Sequence, residues 1–148
     1  MIDTQGPRKT LILILVPMIL TFCIQRLILH HSSPDSHVFI AGYLVHHLFT
    51  GALIQIPAAF FLAFGIRSDR LRTMAKMLLG VGSAMVLDEV IYLICTDGSG
   101  QAYRGSVSLW GAVALITLAV GVLLGAFWAT SRNCRPSGNS FLVKMNKP

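Results

Sequence analysis

Charged residues are scarce in this chain, and acidic ones scarcer still: 12% of the 148 residues are charged, only 6 are Asp or Glu, and 54% are hydrophobic. Soluble domains carry about twice that share of charge. A chain of this length could not hide so much apolar surface in water, which excludes a soluble globule. Only three cysteines occur, Cys23, Cys95 and Cys134, far apart and without a CxxC pair. A disulfide scaffold is thereby excluded, and the three read as free packing or tail residues. Aromatics interleaved with the basic residues are missing too, so the formal charge of +6 does not mark a nucleic-acid surface. There is no HExxH helix of the zinc-hydrolase kind. The several HxxHH-type boxes of membrane fatty-acid hydroxylases are absent, and no repeat supports an inverted duplication.

What the chain has instead is long apolar runs. Four of them, at about 11–29, 38–66, 74–95 and 105–130, meet the roughly 17 residues or more needed to cross a bilayer. The fold class they predict is all-α: an integral membrane four-helix bundle, up-down-up-down, in a single transmembrane domain over 1–148. Basic residues flank the runs. Arg8 and Lys9 precede the first, and Arg67, Arg70, Arg72 and Lys76 surround the second connection. Arg132, Arg135, Lys144 and Lys147 follow the fourth, while the first and third connections carry almost none. The positive-inside rule therefore predicts that both termini and the middle connection are cytoplasmic. The first run begins like a signal peptide yet lacks a small-x-small cleavage site, and reads as an uncleaved signal anchor. Residues 131–148 read as a basic tail, flexible or lying on anionic lipid. Basic composition, short loops and the lack of eukaryotic sorting motifs fit a multi-pass protein of the cell membrane, specifically a bacterial inner membrane.

The third run contains what such runs normally exclude. Asp88 and Glu89 stand side by side within Gly80–Cys95, although an ionisable side chain at membrane depth costs roughly 2.5–3.5 kcal/mol on insertion scales. Such groups face a protein interior or a watery cavity, with a partner nearby. The two carboxylates precede the outer end of their run by six or seven residues, roughly 9–10 Å of helical rise. On the second run, His46 and His47 fall about eight residues in, roughly 12 Å down if that run is helical throughout. Tyr43, His46 or His47, and Thr50 or Gly51 then share a stripe. Tyr92 follows Asp88 by four residues and Glu89 by three, so it borders the same pocket. Arg26, near the outer end of the first run, either snorkels to the headgroups or turns inward to a carboxylate. Gln25, Ser106 and Ser108 add polar groups at this level. Adjacent helical residues point about 100° apart. One carboxylate is therefore expected toward His46 or His47, and the other toward Arg26 or a different helix.

Convergence of His46, His47, Asp88, Glu89, Tyr92, Arg26 and Tyr43 defines a candidate ligand pocket opening outward, and several readings of it stand. As a structural network it would fix which helices touch. As a binding site it would hold the polar head of a membrane lipid or other lipid-like amphiphile, or relay protons, since environment shifts the proton affinity of carboxylate and imidazole. As a metal site, His46, His47, Asp88 and Glu89 would hold a divalent ion for a membrane hydrolase or oxidoreductase. Consecutive histidines on one helix seldom share an ion, however. Haem fits less well than a metal ion, because only the second run carries histidine at depth. The reading carried forward is a small binding or accessory membrane protein, with the metal-dependent enzyme as its alternative and a homo-oligomer left open. A second chelating set, His30, His31 and His37 with Asp35, lies in the first outer connection. Gly42 and Gly51, Gly80 with Ala84, and Gly121 with Gly125 read as close-packing positions.

Overall fold

The computed structural model describes residues 6–31, 39–40, 43–44, 46–65, 67–97 and 99–133. Among them the chain is helical save for one pair of two-residue strands. Helix α1 (Pro7–His31) opens on proline, whose ring presets the helical φ and whose missing N–H is no loss at a first helical position. The Gly6 carbonyl accepts the N–H groups of Lys9 and Thr10 at 3.0 and 3.2 Å. Pro17 lies inside this helix without ending it. Strands β1 (Phe39–Ile40) and β2 (Tyr43–Leu44) pair antiparallel, with Phe39 opposite Leu44 and Ile40 opposite Tyr43.

Helix α2 (His47–Ala63) has 17 residues. It closes at Gly65, whose φ of 71° is left-handed backbone that glycine adopts without a Cβ penalty. Three residues on, the Ser68 Oγ accepts the Leu71 N–H at 3.5 Å and opens α3 (Asp69–Cys95). Asp69 in its first turn suits the positive end of the helix. Beyond α3, Asp97 accepts the Ser99 N–H at 3.0 Å, and Ser99 in turn caps the short α4 (Gly100–Arg104). Helix α5 (Ser106–Asn133) completes the order.

Two expectations change. The second apolar run, 38–66, is not one helix: its helical part is only His47–Ala63, and the strand pair precedes it. The residues ahead of His46 are β-branched and aromatic, and apolar stretches this short do not separate strand from helix by periodicity. His46 is consequently the N-cap residue of α2, with φ −77° and ψ 140°, and does not lie two turns inside a helix. The expected outer loop, 96–104, contains α4. Helices α1, α3 and α5 are long and apolar enough to cross a membrane, and α2 is apolar but shorter. These lengths fit a membrane protein.

Helix α3 is central. It packs against α1, α2 and α5, and α1 and α5 also touch. Where α1, α3 and α5 meet, Met18, Ala84 and Ile116 form the core, surrounded by Leu15, Phe22 and Leu87. Backbones approach closely at glycine. A Cβ on Gly82 would come within 2.6 Å of the Gly51 carbonyl oxygen, and one on Gly51 within 2.7 Å of the Gly82 carbonyl oxygen. Gly80 likewise faces the backbone of Ile14 in α1 with no room for a side chain. Lys76, buried on α3, donates to the Thr10 Oγ1 of α1 at 2.7 Å. The Gly121 and Gly125 pair behaves differently, since a Cβ at either meets nothing within 4 Å among the described residues.

This contrast sets an expected result. Gly82→Val should lower the free energy of unfolding in detergent by about 1–3 kcal/mol, the usual cost of forcing atoms into a packed contact. Gly121→Val should change it by less than about 0.5 kcal/mol. Equal effects of the two substitutions would contradict the packing described for α2 and α3.

Candidate functional site

The two carboxylates of α3 are buried, Asp88 at 0% exposure and Glu89 at 3%, and they diverge as helical geometry requires. Asp88 turns to α1. Its Oδ1 accepts the Arg26 Nε at 2.6 Å, and its Oδ2 accepts the Tyr103 hydroxyl carried by α4. The guanidinium is spent on further acceptors. Nη2 reaches the Asp88 carbonyl at 3.3 Å and both the carbonyl and Oγ of Ser108 at 3.2 Å, and Nη1 reaches the Tyr103 carbonyl at 3.4 Å. The Arg26 guanidinium carbon lies 5.2 Å from the centre of the Tyr103 ring, within cation–π range. A buried charge is tolerated when it is paired and its remaining atoms are hydrogen-bonded. Both oxygens of Asp88 meet that condition. Burial, followed by the charge and hydrogen bond of Asp88, pushes the Tyr103 hydroxyl above the ordinary tyrosine range, so it remains a donor.

Glu89 turns to α2. Its Oε1 lies 2.8 Å from His46 Nδ1, and its Oε2 accepts the Leu48 N–H at 2.5 Å. The N-cap residue of α2 makes no side-chain cap bond of its own, so a carboxylate from the neighbouring helix serves the first turn instead. An anion is favourable there because the opening N–H groups have no intrahelical partner and carry the positive end of the dipole. With Glu89 ionised and therefore only an acceptor, Nδ1 must carry the imidazole proton. The His46 side chain is 23% exposed, against 4% for Glu89. Aromatic rings stand around the pair: Phe49 at 6.4 Å and Tyr92 at 6.5 Å from the imidazole centre, and Tyr103 at 4.7 Å from Tyr92.

Of the residues expected here, Arg26, His46, Asp88, Glu89 and Tyr92 are brought together at one end of α3, and Ser108 joins them through Arg26. His47, the first residue of α2, makes no hydrogen bond to either carboxylate among the described residues. Tyr43 lies in β2, with its side chain outside the described residues. Gln25 Oε1 is buried with no partner among the described residues, and Ser106 is exposed at the start of α5. Tyr103, which stands outside the pocket expected from the sequence, also joins the cluster. Nothing in its spacing links it to Asp88, because α4 delivers it. His30 and His31 end α1 with their rings 5.3 Å apart, and the other members of that chelating set, Asp35 and His37, lie outside the described residues.

The four residues expected to share a metal ion do not form one set. Among the described residues no three His, Cys, Asp or Glu side chains converge as a metal site requires. The reason is the turn between neighbouring helical positions, which commits Asp88 to Arg26 and leaves Glu89 with His46. No family model, curated protein or solved structure matches the chain. The site is therefore read from its own geometry, as a buried polar cluster in an all-helical protein of membrane type.

Two measurements test this geometry. Arg26→Met should destabilise the protein by about 3–5 kcal/mol, because it strands a buried carboxylate, and adding Asp88→Asn should recover most of that loss. Retention of full stability by Arg26→Met would contradict the pairing. The raised pKa of Tyr103 has a defined sign: its contribution is complete below the ordinary tyrosine value of about 10 and is lost as pH rises above it. The wild-type unfolding midpoint should therefore fall more steeply above about pH 10 than that of Tyr103→Phe.

Proposed function

We propose that this chain is a small four-helix integral membrane protein, up-down-up-down with both termini cytoplasmic, that binds the polar head of a lipid-like amphiphile at the His46–Glu89 pair. Three helices of spanning length support the membrane setting. Helix α2, at 17 residues and roughly 25 Å of rise, lies at the short end of the spanning range. The arginine and lysine distribution supports the orientation, and a bacterial inner membrane remains compatible with the composition. The carboxylates then lie in the outer half of the bundle.

One observation carries the binding reading. Asp88 is enclosed, with Arg26 on one oxygen and Tyr103 on the other, whereas Glu89 is bonded to a histidine whose ring is partly open and whose Nε2 has no partner among the described residues. With Nδ1 fixed as the donor to Glu89, Nε2 of the neutral ring is an acceptor for a hydroxyl; on protonation it becomes a donor to a carboxylate or phosphate oxygen. Phe49 and Tyr92 beside the imidazole supply apolar surface for the rest of an amphiphile. The metal-dependent enzyme has no converging ligand set among the described residues to support it.

Native mass spectrometry of the protein extracted in mild detergent tests the proposal. The wild type should retain an amphiphile that His46→Ala loses by roughly tenfold, the scale of one charge-assisted or well-formed hydrogen bond, with helix content unchanged. Equal retention by the two proteins, or stoichiometric metal in the wild type that His46→Ala loses, would count against it.

A further inference from the structure

At the opposite end of the bundle, the first two turns of α1 and the last two turns of α5 leave a groove of ≈ 670 Å³ between them. That volume falls within the roughly 300–1,000 Å³ of small-molecule sites. Ile12, Leu13 and Phe127 supply its apolar wall, and Arg8, Lys9 and Ser131 also border a lining that is almost wholly apolar. Among the described residues none that lines it is acidic. Just past Ser131, Arg132 stacks on Trp128 with its guanidinium carbon 4.3 Å from the ring centre, and neither residue lines the groove. Along the same half of α5, a Cβ at Gly121 or Gly125 would meet nothing within 4 Å among the described residues.

An apolar wall with two basic residues, Arg8 and Lys9, at its border is complementary to a molecule with an acyl chain and a net negative head. Basic pockets between spanning helices on the cytoplasmic side are the setting in which anionic headgroups are held. In the orientation proposed above, this end of the bundle is on that side. A zwitterionic lipid would set its own cation against Arg8 and Lys9, whereas a net-anionic one would not. We propose that this groove binds one anionic phospholipid, with an acyl chain along Ile12, Leu13 and Phe127 and the phosphate at Arg8 and Lys9. The site is separate from the His46–Glu89 pair, and the assignment rests on the membrane orientation proposed above but not on ligand binding at that pair.

The test uses the full chain in detergent micelles doped with phosphatidylglycerol or phosphatidylcholine, read by native mass spectrometry. The wild type should retain one phosphatidylglycerol in preference to phosphatidylcholine. The double variant Arg8→Gln/Lys9→Gln should weaken retention by roughly tenfold to thirtyfold, as expected for losing two basic residues beside an anionic head. Arg8→Lys/Lys9→Arg should keep it, which separates loss of charge from loss of fold. His46→Ala should keep it as well. Three results would each overturn the assignment: equal retention of the two lipids, undiminished retention by the Gln variant, or an equal loss in Arg67→Gln/Arg70→Gln, which would mean diffuse surface charge. Displacement by inorganic phosphate at similar concentration would identify a free anion, not a lipid, and would overturn it too.

Discussion

Two carboxylates inside an apolar helix must be neutralised by groups from elsewhere in the chain, and the arrangement of the bundle follows from how that is done. Asp88 draws on Arg26 of α1, Tyr103 of α4 and, through Arg26, Ser108 of α5, while Glu89 draws on the start of α2. Desolvating such a cluster can cost as much as its attractions return. Its contribution is therefore better described as selecting a geometry than as adding stability. Hydrogen bonds of 2.6 and 2.8 Å leave little freedom for α1 or α2 to slide along α3. The glycine contacts act on the same two interfaces from another level, with Gly80 against Ile14 and Gly82 against Gly51. Polar pairing and backbone proximity together fix the register of both neighbours of α3.

The neighbouring carboxylates have different chemical situations despite sharing a helix turn. Asp88 has a partner on each oxygen and is buried at 0% exposure, which closes it to a further partner. Glu89 has one oxygen on a backbone N–H and the other on an imidazole, and that imidazole is partly exposed. The difference comes from direction alone. One residue of advance along the helix turns the side chain by about 100°, from the α1 side of α3 to the α2 side.

Much of this was legible in the sequence. Membrane character followed from composition, and the run lengths marked α1, α3 and α5 closely. The adjacency of Asp88 and Glu89 marked the polar cluster, and the same angular argument anticipated that the two would part. Three features were not legible. The residues before His46 are apolar and β-branched enough to continue a helix or to pair as strand, and local pattern does not choose between them. Tyr103 reaches Asp88 because a five-residue helix folds back over the end of α3, a tertiary fact with no periodic signature. The metal set looked plausible because types and depth matched, but coordination depends on direction, which the real start of α2 altered.

The capping of α2 by Glu89 bears on how the protein is made. Leu48, whose N–H the carboxylate accepts, is separated from Glu89 by 41 positions, so ribosomes deliver α2 well before the group that defines its first turn. Until α3 has folded against it, the opening N–H groups of a rather short apolar helix lack this acceptor. The first turn of α2 is thus a property of the α2–α3 hairpin, completed only when Glu89 of α3 is in place.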